Sequence, residues 1–410
     1  MDLGGILRAL VMVVVTFTYA VAVGGKIPYF IFYVSLGLLV ISFVWSKINT
    51  KITAYCYAEA VYAQVGTRVK VVVEVKNESG WPVPWVQCWV KMPETFLLPD
   101  NLGCYAFSLS PQQKKVVSEE IECKFRGCFP WGQILVRTGD IFGIFTISRQ
   151  AGEPKEIVVL PEVYDMGVDL GVITGRRYGE IPFSLLSARR GTSFIGVRKY
   201  EASDGIARIH WKASAHTQSL LVKEFQEQKL SEFTLFLDMN EDRHCGTGPY
   251  GSAEKAVALA ASLASTGVRS GHGIGLRVYG AERSMVPVGY GKGHFSLILR
   301  QLVRVQPGKD SLLGDGLGDE MCLLSKNGHP LIITGYLEEQ VIDSLVWLNT
   351  RRQGSVVFLL KLETFGDMDI NYVEREEAIS HLRGSGVSVV MVEKGTDLRL
   401  VFRGLDYEVG

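Results

Sequence analysis

Two long apolar stretches near the N-terminus are the feature that most constrains how this chain folds. Ala9–Val23 and Pro28–Trp45 contain no charged residue, and four residues separate them. Each stretch approaches the roughly 20 residues that cross a hydrocarbon core of about 30 Å. A signal peptide would end in a small-residue cleavage site, whereas here a second apolar stretch follows directly. We therefore predict a membrane hairpin over residues 1–50, with spans at about 6–23 and 28–45.

The basic residues around these stretches predict the orientation of the hairpin. Arg8 lies at the start of the first span, and Lys47 and Lys51 follow the second. The turn between the spans contains only Lys26. Cytoplasmic flanks of membrane spans carry an excess of lysine and arginine. The sequence therefore predicts a cell-membrane protein whose two termini and soluble domains lie in the cytoplasm.

Cysteine content and charge balance bound the chemistry of the rest of the chain. Seven cysteines are scattered along the sequence, and an odd number excludes full disulfide pairing. Reduced, mostly buried thiols are typical of cytoplasmic proteins. No second Cys/His pair accompanies Cys123 and Cys128, so we expect no zinc site. Lysine plus arginine and aspartate plus glutamate both number 43, so the net charge does not favour nucleic acid as a partner.

Residues 51–165 are predicted to form a β-sandwich. Val69–Val75 is rich in β-branched residues and ends at the turn cluster Asn77–Gly80. Further short runs, separated by turn residues at the spacing typical of sandwiches, cover Val86–Val90, Tyr105–Leu109, Lys114–Cys123, Gln133–Thr138 and Phe145–Arg149. Three tryptophans lie beside turns, namely Trp81, Trp85 and Trp131. We expect them to pack in the core and at strand edges, with a ligand-binding face as the alternative.

Residues 166–230 are predicted to comprise a linker, Met166–Thr192, and a dense charged segment, Gly191–Gln228. The charges of this segment follow neither the helical nor the strand period. Arg198, Asp204 and Arg208 lie close in sequence to Trp211. Burying charges beside apolar side chains is unfavourable unless each charge finds a partner. We therefore predict a structural ion-pair network, with a binding or catalytic surface as the alternative interpretation.

The charged segment resembles the signature of the "domain of unknown function 58" family. The residues that carry the resemblance are Arg198, Tyr200, Asp204, Arg208, His210, Trp211, Lys212, Ser214, Lys223 and Glu224. The family usually has glycine where Ser203 stands and arginine where His216 stands. The upstream turn Gly139–Phe145 is also similar to the family, with Ile141 in place of a proline. The resemblance implies a structural or interaction role for these residues.

Apolar strands and helices alternate over residues 231–410, which predicts a doubly wound, mostly parallel α/β sheet covered on both faces. The predicted strands are Phe233–Asp238, Ile274–Tyr279, Pro330–Thr334, Ser355–Leu360 and Val387–Val392. The predicted helices are Ala253–Ser265, Phe295–Val305, Glu338–Arg352 and Glu374–Leu382. Ligands bind such sheets at the carboxyl ends of strands. This rule makes Asp238, the last residue of the first strand, a candidate site residue.

The segment Asp238–Asp242 resembles the metal-ion-dependent adhesion site of von Willebrand factor type A domains. That motif is Asp-x-Ser-x-Ser with a distant Thr and a distant Asp. Asn240 and Asp242 stand at the two Ser positions, and Ser311 stands at the Thr position. The second Asp is missing after Thr334. The resemblance implies a von Willebrand A-like domain with oxygen ligands suited to Mg²⁺ or Ca²⁺; the alternative is that Asp238 only caps a turn.

The family resemblance implies a membrane-anchored scaffold for protein interaction or assembly. Members of the family are commonly encoded beside MoxR-type AAA+ ATPases and transglutaminase-like membrane proteins, so the resemblance implies both as partners in a chaperone-like or envelope-related system. Two other functions stay open: a cation-dependent adhesion module acting through Asp238, and a hydrolase using Asp204, His210 and Lys212. Because the sequence contains no nucleophile elbow or zinc-protease motif, we expect a protein that is not an enzyme.

Overall fold

The computed structural model describes residues 3–48, 51–92, 103–168, 170–171, 193–201, 209–217, 219–226, 231–325, 328–350, 354–366 and 372–402. The chain divides into two compact units, Met1–Glu162 and Val163–Gly410. The first unit contains two helices and a strand-rich region. The second contains a mixed sheet accompanied by helices.

Two helices open the first unit, α1 (Leu3–Val23) and α2 (Lys26–Ile48). Gly24 connects them with a φ of 66°, a left-handed conformation that glycine adopts without strain. Among the described residues, Lys26–Ser46 is long and apolar enough to cross a membrane, and Leu7–Val23 is a shorter apolar stretch. Two apolar N-terminal helices are therefore present at the predicted positions.

The two helices pack against each other in opposite directions. Thr16 Oγ1 lies 3.0 Å from Ser35 Oγ, and the rings of Phe17 and Phe32 are 5.2 Å apart. Ser35 is buried in this contact, whereas the outward side chain of Phe30 is 67% exposed. Most other large apolar side chains of the pair are likewise exposed. A surface of this kind is stable where the surroundings are apolar, because exposed apolar area in water is unfavourable.

The strand-rich region contains β1 (Ile52–Ala58), β2 (Tyr62–Gln64), β3 (Arg68–Asn77), β4 (Val83–Val90), β5 (Cys104–Leu109), β6 (Lys114–Glu122), β7 (Gly127–Trp131), β8 (Ile134–Gly139), β9 (Thr146–Ala151) and β10 (Lys155–Leu160). The sheet orders are β1-β3-β6, β5-β4-β8-β9 and β2-β10-β7. Side chains from all three sheets share one core, which includes Val71, Val86 and Ile157. The six predicted strands are present, and β1, β2, β7 and β10 are additional.

The three tryptophans of this region have different environments. Trp131 is buried in the core. Trp85 donates its Nε1–H to the carbonyl of Asp140 at 2.9 Å, beside the strand edge. Trp81 is 53% exposed, and its ring lies 5.9 Å from that of Trp45 in α2. Trp131 and Trp85 therefore pack in the core and at a strand edge, and Trp81 lies against α2.

The second unit begins with an antiparallel strand pair and continues into a larger sheet. The pair is β11 (Ser193–Lys199) and β12 (Leu221–Gln226), with the short helix α3 (Trp211–Thr217) between them in sequence. The sheet contains β13 (Glu232–Asp238), β14 (Gly273–Tyr279), β15 (Ser284–Gly289), β16 (Gly328–Thr334), β17 (Val356–Leu360) and β18 (Ser388–Val392). Its helices are α4 (Ser252–Arg269), α5 (Gly291–Arg304), α6 (Gly314–Cys322), α7 (Glu339–Thr350) and α8 (Tyr372–Gly384).

Alternate side chains of β13 enter two different cores, one on each face of the sheet. Phe233, Leu235 and Leu237 pack with residues of α4 and α5. Phe236 packs with residues of α6, α7 and α8. All four side chains are fully buried, and each such burial contributes about 1.5–3 kcal/mol. The sheet is therefore covered by helices on both faces, as the continuous apolar strands predict.

The strand order places two polar strand ends side by side. The order is β15-β14-β13-β16-β17-β18, and only β15 is antiparallel to its neighbour. The chain proceeds outward from β13 in one direction and from β16 in the other, so these strands flank the switch point. Asp238 ends β13 and Thr334 ends β16. Open α/β sheets bind ligands in the crevice at this point.

The sequence did not predict the edge strand β15 or the helix α6. β15 contains Pro287, which is compatible with an edge strand but weakens a strand pattern. α6 has the sequence GDGLGDEMC, whose glycines have low helix propensity. Its buried side chains Leu317 and Met321 join the core beneath Phe236. Tertiary packing, and not local propensity, accounts for this helix.

Candidate functional site

The buried carboxylate of Asp238 lies at the switch point and is bound by the protein on both oxygens. Its side chain has 0% exposure. Thr334 Oγ1 donates to Oδ2 at 2.7 Å, and Arg243 Nη1 donates to the same oxygen at 3.3 Å. The backbone N–H of Asn240 donates to Oδ1 at 3.1 Å. Asp238 thus ties the ends of β13 and β16 together and carries its own counter-charge.

Arg243 connects Asp238 to a second carboxylate. It ends the 3₁₀ turn Glu241–Arg243 that follows β13, and its side chain is 10% exposed. Its Nη2 binds Glu338, and its Cζ lies 6.0 Å from the centroid of the Tyr336 ring. A guanidinium presents its donors in a planar fork and binds two carboxylates at once. Arg243 therefore joins the loop after β13 to the segment after β16.

His244 and Ser252 fix the loop that carries Arg243. His244 Nε2 lies 2.9 Å from the carbonyl of Asp238, so this nitrogen is the donor. His244 Nδ1 lies 3.0 Å from Ser252 Oγ, which accepts from the backbone N–H of Cys245 at 2.8 Å. The tautomer follows from this network of partners. The loop is therefore fixed by hydrogen bonds to its backbone as well as by the contact between Arg243 and the Asp238 carboxylate.

The other three predicted cation ligands have partners of their own. Asn240 Oδ1 accepts from the backbone N–H of Asp242 at 2.9 Å and caps the 3₁₀ turn. The exposed carboxylate of Asp242 pairs with Lys309 Nζ at 2.7 Å. Ser311 Oγ accepts from Gly280 N at 2.7 Å and donates to Gly280 O at 3.0 Å. These contacts position the two loops beside the crevice.

A cation at the switch point would have to displace Arg243 from Asp238. Among the residues that the structure describes, no group of three or more His, Cys, Asp or Glu side chains is placed to hold a metal ion. The hydrogen bond from Asn240 N to Asp238 matches the capping role that the sequence offered as the alternative. The cation site stays a prediction, and in the described structure the guanidinium of Arg243 supplies the positive charge beside Asp238.

A cleft of about 870 Å³ lies beside Arg243, at the carboxyl ends of β16 and β17. It is lined by Asp242, Arg243, Gly335, Tyr336, Leu337, Glu339, Ile342, Leu359, Leu362, Glu374, Arg375, Glu377, Ala378 and His381. The apolar residues among them include the buried Leu359 and Leu362. Glu339, Glu374 and Glu377 are exposed. The cleft therefore combines apolar contact area with carboxylates that face water.

The two arginines of the cleft are neutralised by carboxylates of the same unit. Arg375 Nη1 lies 2.9 Å from both carboxylate oxygens of Glu363, and its Cζ lies 5.2 Å from the Tyr372 ring centroid. Arg243 is paired with Asp238, as described above. The uncompensated charge around the cleft is therefore negative. An acidic border around apolar area is complementary to a basic and partly apolar segment.

The first described residues of the family signature lie on the β11–β12 pair. Arg198 is opposite Val222 in this pair, and its Nη1 donates to the carbonyl of Lys199 at 3.2 Å. The backbone N–H of Tyr200 donates to the carbonyl of Leu220 at 2.9 Å. These contacts position the strand ends next to α3.

The middle of the signature forms the start of α3. His210 Nδ1 accepts a backbone N–H from the first turn of the helix at 3.2 Å. Ser214 is buried, and its Oγ accepts from Leu221 N at 2.9 Å. Trp211 is 64% exposed and Lys212 is exposed. Both side chains therefore lie at the surface of α3, which directs only part of its surface at β12.

The remaining signature residues belong to the predicted ion-pair network and to β12. Asp204 and Arg208 lie outside the described residues. Lys223 and Glu224 occupy β12 opposite β11, and their side chains also lie outside the described part. The network therefore stays a prediction. The hydrolase alternative needs the same Asp204, together with His210, whose Nδ1 already accepts a helix N–H.

Sequence reasoning missed Arg243, Glu338 and the acidic cleft. Arg243 and Glu338 are 95 positions apart, so no local spacing pattern connects them. The available signal was a charged residue five positions after an aspartate that ends a fully apolar strand. Such an arginine is a natural partner because a buried carboxylate requires a compensating charge.

Together the fold and the site define a doubly wound α/β unit with a polar crevice at its switch point, joined in one chain to apolar helices and a strand-rich region. Residues 196–361 match the family model described as "Protein of unknown function DUF58". The match spans β11 to the end of β17, and it confirms over this range the resemblance found in the charged segment.

One curated relative is similar over most of the chain. It is "Uncharacterized protein YeaD" of Bacillus subtilis (strain 168), which is 22% identical over 331 residues. The alignment covers 80% of this chain and 81% of the relative. The similarity thus extends beyond the segment that the family model matches.

Three similar solved structures each match about a quarter of the chain. The CARDB domain of a Pyrococcus furiosus protein, in complex with di-metal ions, is 18% identical, with coverage of 27% of this chain and 92% of that domain and a TM-score of 0.20. The ASH/PapD-like domain of human CEP192 is 13% identical, with coverage of 26% and 86% and a TM-score of 0.18. The C-terminal domain of wzt is 13% identical, with coverage of 28% and 75% and a TM-score of 0.19. Scores this low carry no argument about fold or function.

Proposed function

We propose that this protein is a membrane-anchored interaction scaffold of the DUF58 family. The match over residues 196–361 supports the family, and the apolar helices α1 and α2 support a two-span anchor in the cell membrane. Arg8, Lys47 and Lys51 support a cytoplasmic location for the soluble domains, because basic residues flank spans on that side.

The proposal includes a von Willebrand A-like fold for the mixed sheet and a β-sandwich for the strand-rich region. Supporting the first are the doubly wound strand order, the antiparallel edge strand β15 and the aspartate that ends β13. Supporting the second are three sheets around one core. In this interpretation Arg243 stands where an adhesion-type domain would hold a cation.

The observation that carries the scaffold function is the cleft beside Arg243. Its apolar lining supplies contact area, and Glu339, Glu374 and Glu377 supply charge that no other described residue pairs with. Complementary charge at the border of an interface raises association rates and selects partners. The cleft therefore suits a basic, partly apolar segment of another protein better than it suits a small anion.

The partner class comes from the family resemblance. We propose a MoxR-type AAA+ ATPase as the cytoplasmic partner and a transglutaminase-like membrane protein as a second component of a chaperone-like or envelope-related system. An ATPase that changes conformation with nucleotide would engage an exposed cleft in one nucleotide state and release it in another. The scaffold would then connect that cycle to the membrane.

A pull-down with matched variants tests this proposal. The full chain is purified in detergent and used to capture a MoxR-type AAA+ ATPase of the same organism, with and without ATP. The test variant carries Glu374→Lys and Glu377→Lys, and the control carries Glu282→Lys and Asp319→Lys, which change the same charge at exposed positions outside the cleft. We expect nucleotide-dependent capture by the wild type and the control, and its loss in the test variant. Capture that survives the cleft substitutions, or no capture by any form, contradicts the proposal.

A cation-dependent interaction through Asp238 is the second candidate function. It is favoured by one observation: Asp238 and Asn240, two residues of the adhesion-type motif, lie together at the switch point, with the Asn240 N–H 3.1 Å from Asp238 Oδ1. The capture is repeated with Asp238→Asn at constant Mg²⁺ and ATP, because EDTA would also remove the Mg²⁺ that ATP binding by the ATPase requires. Loss of capture by a folded Asp238→Asn variant favours the cation, whereas capture like that of the wild type favours the cleft.

A further inference from the structure

The turn between β8 and β9 presents two large apolar side chains on a rigid support. Ile141 and Phe142 are 56% and 55% exposed. The fully buried carboxylate of Asp140 accepts from Phe142 N at 3.0 Å and from Phe145 N at 2.6 Å. The carboxylate of Asp140 therefore fixes the backbone conformation of the turn through these two hydrogen bonds. Exposing two adjacent apolar side chains at the tip of such a turn is unfavourable in water.

The same turn lies against the N-terminal helices and not against solvent alone. Phe142 and Ile144 line a cavity of about 420 Å³ together with Met12 of α1 and with Leu38 and Leu39 of α2. These helix residues belong to the apolar stretches. The tip is therefore continuous with the surface that the proposed membrane anchor presents to lipid.

Two aromatic contacts lie nearer the C-terminal end of α2. The rings of Phe43 and Phe145 are 5.7 Å apart, and those of Trp45 and Trp81 are 5.9 Å apart. Tryptophan is enriched at membrane–water interfaces, so Trp45 marks the cytoplasmic boundary of the second span. Leu38 precedes Trp45 by seven residues, which at 1.5 Å per residue places it about 10 Å deeper in the bilayer.

Part of the backbone of the turn is hydrogen-bonded within the protein, which lowers the cost of placing it in lipid. In a hydrocarbon environment each N–H and C=O needs an internal partner. Phe142 N and Phe145 N are bound by the Asp140 carboxylate, and Gly143 N donates to the carbonyl of Asp140. Asp140 N donates to the carbonyl of Phe145. These N–H groups of the turn therefore need no partner from water or lipid.

We propose that the Asp140–Phe145 turn is a third membrane contact, which inserts Ile141 and Phe142 among the acyl chains of the cytoplasmic leaflet. This inference rests on the proposed two-span anchor and adds to it a wedge that fixes the strand-rich region against the bilayer. Arg8, which also lines the cavity, lies near the N-terminal end of α1. A long basic side chain there reaches the lipid headgroups.

Site-specific fluorescence in nanodiscs tests the insertion. The full chain is prepared with serine at the cysteines that are not buried, Cys104, Cys128, Cys245 and Cys322. Single cysteines are then introduced as Phe142→Cys, Val40→Cys and Glu153→Cys, and each is labelled with an environment-sensitive fluorophore. Val40 is an exposed residue of α2 and reports on the span. Glu153 is exposed and follows β9 at the end opposite the turn, so it reports on the water-exposed side.

Reduction by dithionite and quenching by spin-labelled phosphatidylcholine are measured for the three sites. We expect the label at position 142 to be protected from dithionite like that at 40, to emit at shorter wavelength than that at 153, and to be quenched most by a spin label on the acyl chain. Reduction at 142 as fast as at 153, with 40 protected, overturns the wedge and leaves the anchor. Rapid reduction at both 142 and 40 overturns the anchor itself. Circular dichroism of each variant confirms that the comparison is made between folded proteins.

Discussion

Arg243 lies against Asp238 at the switch point of the mixed sheet, with 3.3 Å between Nη1 and Oδ2. The side chain of Asp238 is 0% exposed and that of Arg243 is 10% exposed. A buried carboxylate at this place requires a positive charge, and the loop after β13 supplies it within the chain. Open α/β sheets bind ligands in the crevice at this point. Here the guanidinium of Arg243 already neutralises the carboxylate of Asp238 in that crevice.

Replacing this arginine is expected to destabilise the second unit strongly. Arg243→Met keeps most of the apolar stem but leaves Asp238 buried without its counter-charge, which costs about 3–5 kcal/mol. The measurement is thermal and urea unfolding of the full chain in detergent. Arg300→Met is the matched control, since Arg300 is exposed on α5 and takes part in no ion pair with the described residues. A melting temperature as high for Arg243→Met as for Arg300→Met would show that the pair contributes nothing to stability.

The same pair predicts how the protein responds to divalent cations. With Arg243 on Asp238, we expect millimolar Mg²⁺, Ca²⁺ or Mn²⁺ to leave the melting temperature of the wild type unchanged. In Arg243→Met the carboxylate of Asp238 lacks its counter-charge. With the oxygens of Asn240 and Thr334 beside it, this carboxylate becomes available to a hard cation. Binding to the native state then raises the melting temperature as the cation concentration exceeds its dissociation constant.

Asp238→Asn is the control for the cation experiment, since it retains the shape of the side chain and removes the charge. A rise in wild-type melting temperature that Asp238→Asn abolishes would mean that a cation displaces Arg243. That outcome would restore the adhesion-type site that the sequence suggests. A rise in every variant would indicate nonspecific binding of the metal.

The sequence predicted the mixed sheet well because its strands are buried on both faces. Phe233–Asp238 and Ser355–Leu360 are continuous apolar runs, which leave little choice but a covered sheet. The strand β15 was missed because an edge strand with Pro287 lacks that pattern. β7 was missed because Gly127–Trp131 contains a glycine and a proline, which favour turns.

Only the part of the candidate site that depends on the order of neighbouring residues along the chain was predicted from the sequence. Asp238 was found because it ends a buried strand, and the end of a parallel strand faces the crevice. Its partners Arg243 and Glu338 were not found, since the contact between them depends on the alignment of β13 with β16 and not on spacing. The cleft was not predicted for the same reason, because its acidic residues belong to two helices that β17 separates in sequence.

The cysteines are expected to fall into distinct reactivity classes. Burial raises the pKa of Cys56 to about 11, an effect that Lys155 partly offsets. Burial likewise raises the pKa of Cys88 to about 12 and that of Cys123 to about 11. Since the thiolate is the nucleophile, these thiols react slowly near neutral pH. Three other cysteines are exposed, namely Cys104, Cys128 and Cys322.

Timed alkylation checks this prediction. The native full chain is treated with iodoacetamide at pH 8, and modified peptides are followed by mass spectrometry. We expect early modification at the exposed cysteines and at Cys56, Cys88 and Cys123 only after unfolding in guanidinium chloride. Half-buried Cys245 should react at an intermediate rate. Equal rates at Cys88 and Cys104 in the native protein would contradict the packing of the strand-rich core.

His329 predicts a pH dependence of stability in the second unit. Burial lowers the pKa of this imidazole below its ordinary value, an effect opposed by the contact with the carbonyl of Gly354 and reinforced by His272. Its Nδ1 lies 3.2 Å from Gly354 O, and its ring lies 5.5 Å from that of Phe233. The neutral form is therefore the one that the fold accommodates.

The direction of the effect follows from proton linkage. As the pH falls below about 6.5, the unfolded chain protonates His329 before the folded protein does. The unfolded state then binds more protons, so the free energy of unfolding decreases from about pH 6.5 down to the folded-state pKa and is fully retained above that window. His329→Asn keeps a side-chain N–H for the Gly354 carbonyl and does not titrate. Urea unfolding from pH 7.5 to 5 should show a smaller loss of stability in His329→Asn than in the wild type, whereas His381→Asn, at an exposed position on α8, should follow the wild type. Identical pH profiles for wild type and His329→Asn would mean that the imidazole is protonated equally well in the folded and unfolded states.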